Sequence, residues 1–151
     1  MLKLLAGAAL VLLSSAGPAA AVGMIADEDT PTATFEEARV MIEEGRYREA
    51  IDLLQPAASA QSDSPDLWSL LGFAYRKSGQ PDKSFAAYNR ALLIDPDHIG
   101  ANEYLGELYL QVGDPERAKR QLRIVDDACV VGCPAFDQLK AAIEAYEAGK
   151  R

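Results

Sequence analysis

Apolar side chains recur at helical spacing through most of the chain after residue 30. In the middle of the chain, Trp68, Leu71 and Tyr75 fall at positions i, i+3 and i+7, which places them on one buried face of an α-helix. Gly79 favours the end of that helix, because glycine readily adopts the left-handed conformation, and Pro81 suits the first turn of another. This pattern predicts two helices joined by a tight turn.

The same pattern returns every 34 residues. Positions that share this period hold residues of similar kind, namely Gly45, Gly79 and Gly113, then Ala50, Ser84 and Ala118, then Leu54, Tyr88 and Leu122. A fixed period of this length is typical of proteins built by stacking helix pairs. The sequence therefore predicts three pairs, at about 32–44 and 47–60, 66–78 and 81–94, and 99–112 and 115–128.

The second copy of this pattern resembles the tetratricopeptide repeat (TPR). It has the W-x2-L-G-x2-Y spacing of that family and the later small, aromatic and proline positions, at Trp68, Leu71, Gly72, Tyr75, Ser84, Tyr88, Ala91 and Pro96. The third copy departs at the tryptophan position, and the first copy is less regular. The resemblance implies an all-α TPR α-solenoid with repeats at residues 31–64, 65–98 and 99–128. Gly72 is expected where the two helices of a pair approach most closely.

Residues 129–151 predict a bend followed by one more helix. Pro134 suits a helix start, and Phe136, Leu139, Ile143 and Tyr146 follow at helical spacing. A last helix of this kind, with a polar outer face, is typical of the cap that closes a repeat array. The predicted fold is therefore three helix pairs plus a C-terminal capping helix.

The first 21 residues predict a secretory signal peptide. Lys3 gives a positive start, residues 4–13 are apolar, and residues 19–21 form an A-x-A cleavage site. The apolar run is about half of the ~20 residues that span a bilayer, and an uncleaved anchor is the alternative. We expect cleavage after Ala21, a flexible lead-in at residues 22–30, no membrane span in the mature chain, and a periplasmic location.

Composition and charge narrow the classes of function. The net charge of −8 argues against nucleic-acid binding, which needs a concentrated basic surface. His98 is the single histidine, which removes most catalytic triads, and no glycine-rich phosphate loop occurs. We expect no enzymatic activity, no cofactor and no metal site. His98, in the turn after the second repeat, is expected to be a solvated turn residue.

Cys129 and Cys133 are the two cysteines of the chain. In an exported protein, two cysteines this close predict a disulfide, which here would fix the angle of the capping helix. A thiol-redox or metal-handling role is the alternative. The spacing is not that of a C-x2-C motif, and two cysteines leave a tetrahedral metal site two ligands short.

The resemblance to TPR proteins also implies a binding surface. In that family the first helix of each pair lines a concave groove, through fixed positions of the repeat. Carried onto this chain, these positions predict a groove that runs from a basic, aromatic end to an acidic end and contains Phe35, Arg39, Phe73, Arg76, Lys77, Glu103, Glu107 and Leu110. Phe73 is expected to face solvent and to anchor an apolar side chain of a partner, while Arg39 and Arg76 hold acidic groups. The alternative is that another part of the chain covers Phe73.

These observations predict an exported protein–protein interaction module, a scaffold or adaptor whose partner is an unidentified protein or peptide. Two alternatives stay open. One is the redox or metal-handling role of Cys129 and Cys133. The other is a structural subunit of an envelope complex, which would pack through the convex face of the second helices.

Overall fold

The computed structural model describes residues 31–149, which form seven α-helices. In chain order these are α1 (Pro31–Glu43), α2 (Tyr47–Ala60), α3 (Pro65–Lys77), α4 (Pro81–Ile94), α5 (Ile99–Gln111), α6 (Pro115–Ala128) and α7 (Pro134–Ala148). The helices of the three pairs begin and end within one residue of the predicted positions. The predicted signal peptide and lead-in, residues 1–21 and 22–30, lie outside the described residues and stay predictions.

The helices are arranged in two layers. In the first layer α1, α3, α5 and α7 lie side by side, each in contact with the next. In the second layer α2, α4 and α6 each pack against the two first-layer helices that flank them in the chain, and within residues 31–149 they do not contact one another. The fold is an all-α solenoid of three helix pairs, with α7 added as a fourth first-layer helix, as the sequence predicted.

The turn inside each pair is the same glycine-ended helix cap. Gly45, Gly79 and Gly113 have φ angles of 76°, 77° and 85°, a conformation that side chains with a Cβ rarely adopt. In the second pair the N–H of Gln80 donates to the carbonyl of Tyr75 at 2.9 Å, and the N–H of Gly79 donates to the carbonyl of Arg76 at 3.1 Å. This is the Schellman pattern, and it reverses the chain after α1, α3 and α5 alike.

Gly72 lies at the closest approach between α3 and α4. A Cβ at this position would fall 2.6 Å from the ring of Tyr88, which is fully buried. The hydroxyl of Ser84 also donates to the carbonyl of Gly72, at 2.7 Å. The prediction that Gly72 marks the tightest contact of the pair is therefore confirmed, and Ser84 adds a hydrogen bond that crosses it.

The capping helix packs on α5 and α6 through an apolar face. Leu139 is fully buried, and with Ile143 it forms a cluster that includes Leu110 of α5 and Ala118 of α6. A Cβ on Gly106 would lie 2.6 Å from the side chain of Leu139. The absence of a side chain at Gly106 therefore leaves room for Leu139 of the capping helix, just as Gly72 leaves room for Tyr88. Leu110 is 8% exposed and belongs to this core, which corrects its expected position in the groove.

We predict that Gly72→Ala lowers the free energy of unfolding by about 1–3 kcal/mol, because the added methyl group overpacks against the ring of Tyr88. Alanine normally stabilises a helix by ~1 kcal/mol relative to glycine, and that gain offsets only part of the loss. The measurement is thermal and urea denaturation followed by circular dichroism.

The matched control is Gly100→Ala in α5, where the nearest atom to an added Cβ is 3.6 Å away. This variant is expected to be as stable as the parent or more stable. Equal stability of the two variants would contradict the close approach of α3 and α4.

Candidate functional site

The first layer of helices carries two adjoining depressions, which we call the concave groove. One has a volume of about 190 Å³ and the other about 210 Å³. Arg39 of α1, Leu70 of α3 and Tyr104 of α5 line both of them, so the two depressions form one surface across three helices. The first also includes Phe35, Asp66, Ser69, His98 and Gly100, and the second includes Ile42, Glu43 and Phe73.

Phe73 is half-buried, which corrects the expectation that it faces solvent alone. Its ring meets the ring of Tyr104 edge-on, with centroids 4.8 Å apart. Tyr104 belongs to the next repeat, so a neighbouring helix covers part of the Phe73 ring. Both rings also line the second depression of the groove.

Arg76 is not available to a partner. Its side chain is 5% exposed, and its guanidinium pairs with the carboxylate of Glu107 at 2.5 Å. The guanidinium carbon also lies 5.1 Å from the ring centre of Phe73 and 5.9 Å from that of Tyr104. Arg76 and Glu107 were both predicted to contact charged groups of a partner. Because α3 and α5 are neighbours, the two side chains pair with each other instead.

Arg39 and Lys77 are the exposed cations of the groove region. Arg39 bonds to Glu36 at 3.0 Å and to Glu43 at 3.4 Å, both on its own helix and all three side chains exposed. Exposed pairs of this kind contribute little to stability, so Arg39 can exchange them for a partner's carboxylate at low cost. The ammonium of Lys77 lies 5.7 Å from the ring centre of Phe73.

Glu103 is buried, so the expected acidic end of the groove is not an open charged patch. The residue is 5% exposed, and its Oε1 has no hydrogen-bond partner. Burial, and to a smaller extent the negative charge of Glu107, raise the pKa of Glu103 to about 7, and the positive charge of Arg76 opposes them. Glu103 therefore titrates near neutral pH inside the α5 region of the fold.

His98 is a helix cap and not a solvated turn residue, which corrects the expectation from its position. Its side chain is 15% exposed. Its Nδ1 accepts the N–H of Ala101 at 3.0 Å and thereby caps α5. Since Nδ1 accepts, Nε2 carries the proton and donates to Oδ1 of Asp66, 2.9 Å away. This bond ties the start of α5 to the start of α3 at one end of the groove.

Cys129 and Cys133 lie in the bend between α6 and α7, away from the groove. Their Sγ atoms are at bonding distance, 2.13 Å, and their Cα atoms are 5.8 Å apart. Within residues 31–149, no helix is both long and apolar enough to cross a bilayer. Over the same range, the structure brings together no group of three His, Cys, Asp or Glu side chains that could hold a metal.

The sequence prediction missed Leu70 and Tyr104, which lie at the centre of the groove. Both occupy the same repeat position, since they are 34 residues apart. Neither belongs to the inner stripe that Trp68, Leu71 and Tyr75 define. The sequence does contain a signal for them, because an apolar residue occurs outside that stripe at the same position of two successive repeats. The groove prediction used other positions of the TPR repeat and therefore did not include this one.

Known proteins with related sequences are consistent with this architecture. Residues 65–98 match the family described as tetratricopeptide repeat. The described residues therefore have a TPR-like all-α solenoid fold, with one tetratricopeptide repeat recognised at residues 65–98. The TPR repeat-containing thioredoxin TTL4 of Arabidopsis thaliana is 33% identical over 96 residues, which are 63% of this chain and 13% of that protein. The chain thus spans a small part of this curated relative.

Solved TPR structures have the same fold. The TPR domain of Sgt2 from Aspergillus fumigatus is 25% identical and superposes with a TM-score of 0.69, covering 80% of this chain and 78% of that domain. The type III secretion chaperone SycD of Yersinia enterocolitica, in complex with a peptide of the translocator YopD, is 20% identical with a TM-score of 0.67. That match covers 82% of this chain and 96% of SycD, and it supports the fold described above.

We predict that Glu103 makes the stability of the protein fall as the pH rises. The pKa of Glu103 is about 7 in the fold against an ordinary value of 4.5, so between these values the folded chain binds more protons than the unfolded chain. The stabilisation is complete below about pH 4.5 and is lost as the pH rises through about 7. Glu103→Gln should remove this loss and raise the free energy of unfolding at about pH 8 by on the order of 1–2 kcal/mol.

The measurement is urea denaturation of both proteins between about pH 5 and pH 8. Glu144→Gln, an exposed change of the same chemistry on α7, is the control and should follow the parent. Parallel stability curves for the parent and Glu103→Gln would contradict a buried, titrating carboxyl group.

Proposed function

We propose that the concave groove of this protein binds a segment of another protein. The observation that carries the proposal is the continuous apolar surface of Phe35, Leu70, Phe73 and Tyr104, which crosses α1, α3 and α5 with Arg39 at its centre. Exposed aromatic rings and an accessible guanidinium are the groups that contribute most to binding energy when a partner covers them.

The charges of the groove define the segment further. Arg76 and Glu107 are paired with each other, so the partner meets a floor that is close to neutral. Arg39 lines the second depression together with Phe73, and the ammonium of Lys77 lies 5.7 Å from the centre of the Phe73 ring. The proposed segment therefore places an apolar side chain on Phe73 and Tyr104 and an acidic side chain beside Arg39.

Solved relatives support a role in protein binding. SycD has the same fold and is solved with a peptide of the translocator YopD. PcrH has the same fold, with a TM-score of 0.69 at 19% identity, and is solved with the chaperone binding region of PopD. These complexes are properties of those proteins, and they favour a peptide or protein ligand for this groove over a small molecule.

We also propose that the protein acts after export to the periplasm, with Cys129 and Cys133 joined in a disulfide. The short apolar run and the A-x-A site before Val22 support export. The bonding distance between the two Sγ atoms supports the disulfide. Since the pair closes the bend between α6 and α7, its role in this proposal is to hold the capping helix at a constant angle and not to exchange electrons.

We predict that a photo-crosslinking amino acid placed at Lys77 traps the partner, because Lys77 is exposed and lies next to Phe73 of the groove. The same amino acid placed at Arg123, on the exposed side of α6, is the matched control. Crosslinking is carried out in the native envelope fraction and analysed by mass spectrometry. Arg39→Glu should lower the yield of the Lys77 crosslink by about tenfold without changing the melting temperature.

A partner trapped equally well from both positions would reject the groove as the binding surface. A partner trapped from Arg123 alone would instead favour packing through the second-layer helices, the structural-subunit alternative.

We predict that the protein isolated from its native envelope begins at Val22. Its intact mass should be lower by two hydrogens than the mass of the same chain after reduction. Alkylation before and after reduction reports the state of Cys129 and Cys133 independently. Retention of residues 1–21 would reject cleavage. Alkylation of both thiols without prior reduction would reject the disulfide, and metal that stays bound through purification would favour the metal-handling alternative.

A further inference from the structure

The face opposite the concave groove has a depression of its own, which we call the convex trench. It lies between α2 and α4, which do not contact each other, and its floor is the face of α3 that turns toward these two helices. Trp68, Leu71 and Tyr75 form this floor, and Lys83 and Arg90 of α4 form one wall. Its volume is about 440 Å³, more than either depression of the groove.

The aromatic floor of the trench is held in place by hydrogen bonds at its polar ends. The indole N–H of Trp68 donates to the carbonyl of Ser62 at 3.2 Å, and the hydroxyl of Tyr75 donates to Oε1 of Gln55 at 3.0 Å. Trp68 was expected in the core, but it is only partly buried. Leu71 and Tyr75 are only 2% and 6% exposed, so the half-buried indole of Trp68 is the apolar part of the floor that a ligand can cover.

The charged groups of the trench wall are both cations. The ammonium of Lys83 lies 5.4 Å from the ring centre of Tyr75, and the guanidinium of Arg90 donates to the carbonyl of Ser62 at 3.3 Å. Neither makes an ion pair within the described part of the chain, although the protein carries a net charge of −8. The negative charge of Asp52 helps to raise the pKa of Tyr75, but Asp52 does not line the trench.

The spacing of the two cations specifies the ligand. Lys83 and Arg90 are seven residues apart, so they stand on one face of α4 about 10 Å apart along the helix. An extended segment in the polyproline II conformation advances ~3.1 Å per residue with three residues per turn. Two acidic residues three apart in such a segment therefore point to the same side at nearly the same separation.

We propose that the convex trench binds an extended acidic segment of a partner protein, with Asp or Glu at positions i and i+3 and an apolar residue between them. The acidic groups pair with Lys83 and Arg90, and the apolar side chain covers the indole of Trp68. The protein then holds two segments at once, since the trench and the concave groove use different faces of α3.

The test uses the single tryptophan of the chain, whose indole N–H gives one NMR resonance that reports directly on the trench. The probe is a blocked peptide of sequence Gly-Glu-Leu-Leu-Glu-Gly, added to the full-length protein. Two matched peptides carry lysine in place of glutamate or serine in place of leucine. The expected result is a saturable shift of the indole resonance with the first peptide and at most a tenth of that affinity with the others.

Protein variants locate the site. The double variant Lys83→Glu/Arg90→Glu should weaken binding of the first peptide at least tenfold, while Arg123→Glu on α6 and Arg39→Glu in the concave groove retain it. All of these side chains are exposed, and the melting temperature checks that each variant is folded.

Three results would overturn the proposal. The first is the absence of a saturable shift, and the second is an equal response to the lysine peptide. The third is an indole resonance that moves on dilution without peptide, because this would assign the trench to a second copy of the chain. The Arg39→Glu variant distinguishes the two sites. It should lose the Lys77 crosslink, which reports on the groove, and keep the indole response to the peptide, which reports on the trench.

Discussion

The close contact between the two helices of a pair determines where every other part of this protein lies. In the second pair the ring of Tyr88 occupies the space that a side chain on Gly72 would fill, and the hydroxyl of Ser84 bonds to the same backbone segment. A pair held this closely buries its apolar stripe and leaves each first-layer helix free to meet the next. The groove and the trench are the two surfaces that this stacking creates.

The same stacking pairs or buries charged side chains that the sequence of a single helix predicts to be exposed. Arg76 was predicted as a partner-binding cation, yet the neighbouring helix supplies Glu107 at 2.5 Å. Glu103 was predicted as an exposed acid, yet packing buries it without a partner for Oε1. A buried ion pair and a buried acid are costly, and in this fold they leave the first layer with aromatic surface and few free charges.

The fold could be predicted from the sequence because its determinants are local and repeated. Glycine at the turns, small residues at the helix contacts and apolar residues at i, i+3 and i+7 each act within one pair, and the 34-residue period multiplies them. The groove could be predicted only in outline. Its details depend on contacts between repeats, such as Phe73 with Tyr104 and Asp66 with His98, which are 31 and 32 residues apart in the chain. Periodicity within one helix contains no signal for such pairs.

The helix α1 occupies an exceptional place in this arrangement. Within residues 31–149 it packs against α2 and α3 alone, and Ala38 is its single fully covered side chain in that range. In a linear array of this kind, opening begins at a weakly held end and costs less than global unfolding. Amide hydrogen exchange should therefore be fastest in α1, and Arg39 leaves the groove whenever that helix opens. A bound segment that covers Phe35 and Arg39 would slow this local opening, so part of its binding energy is spent on ordering the first helix.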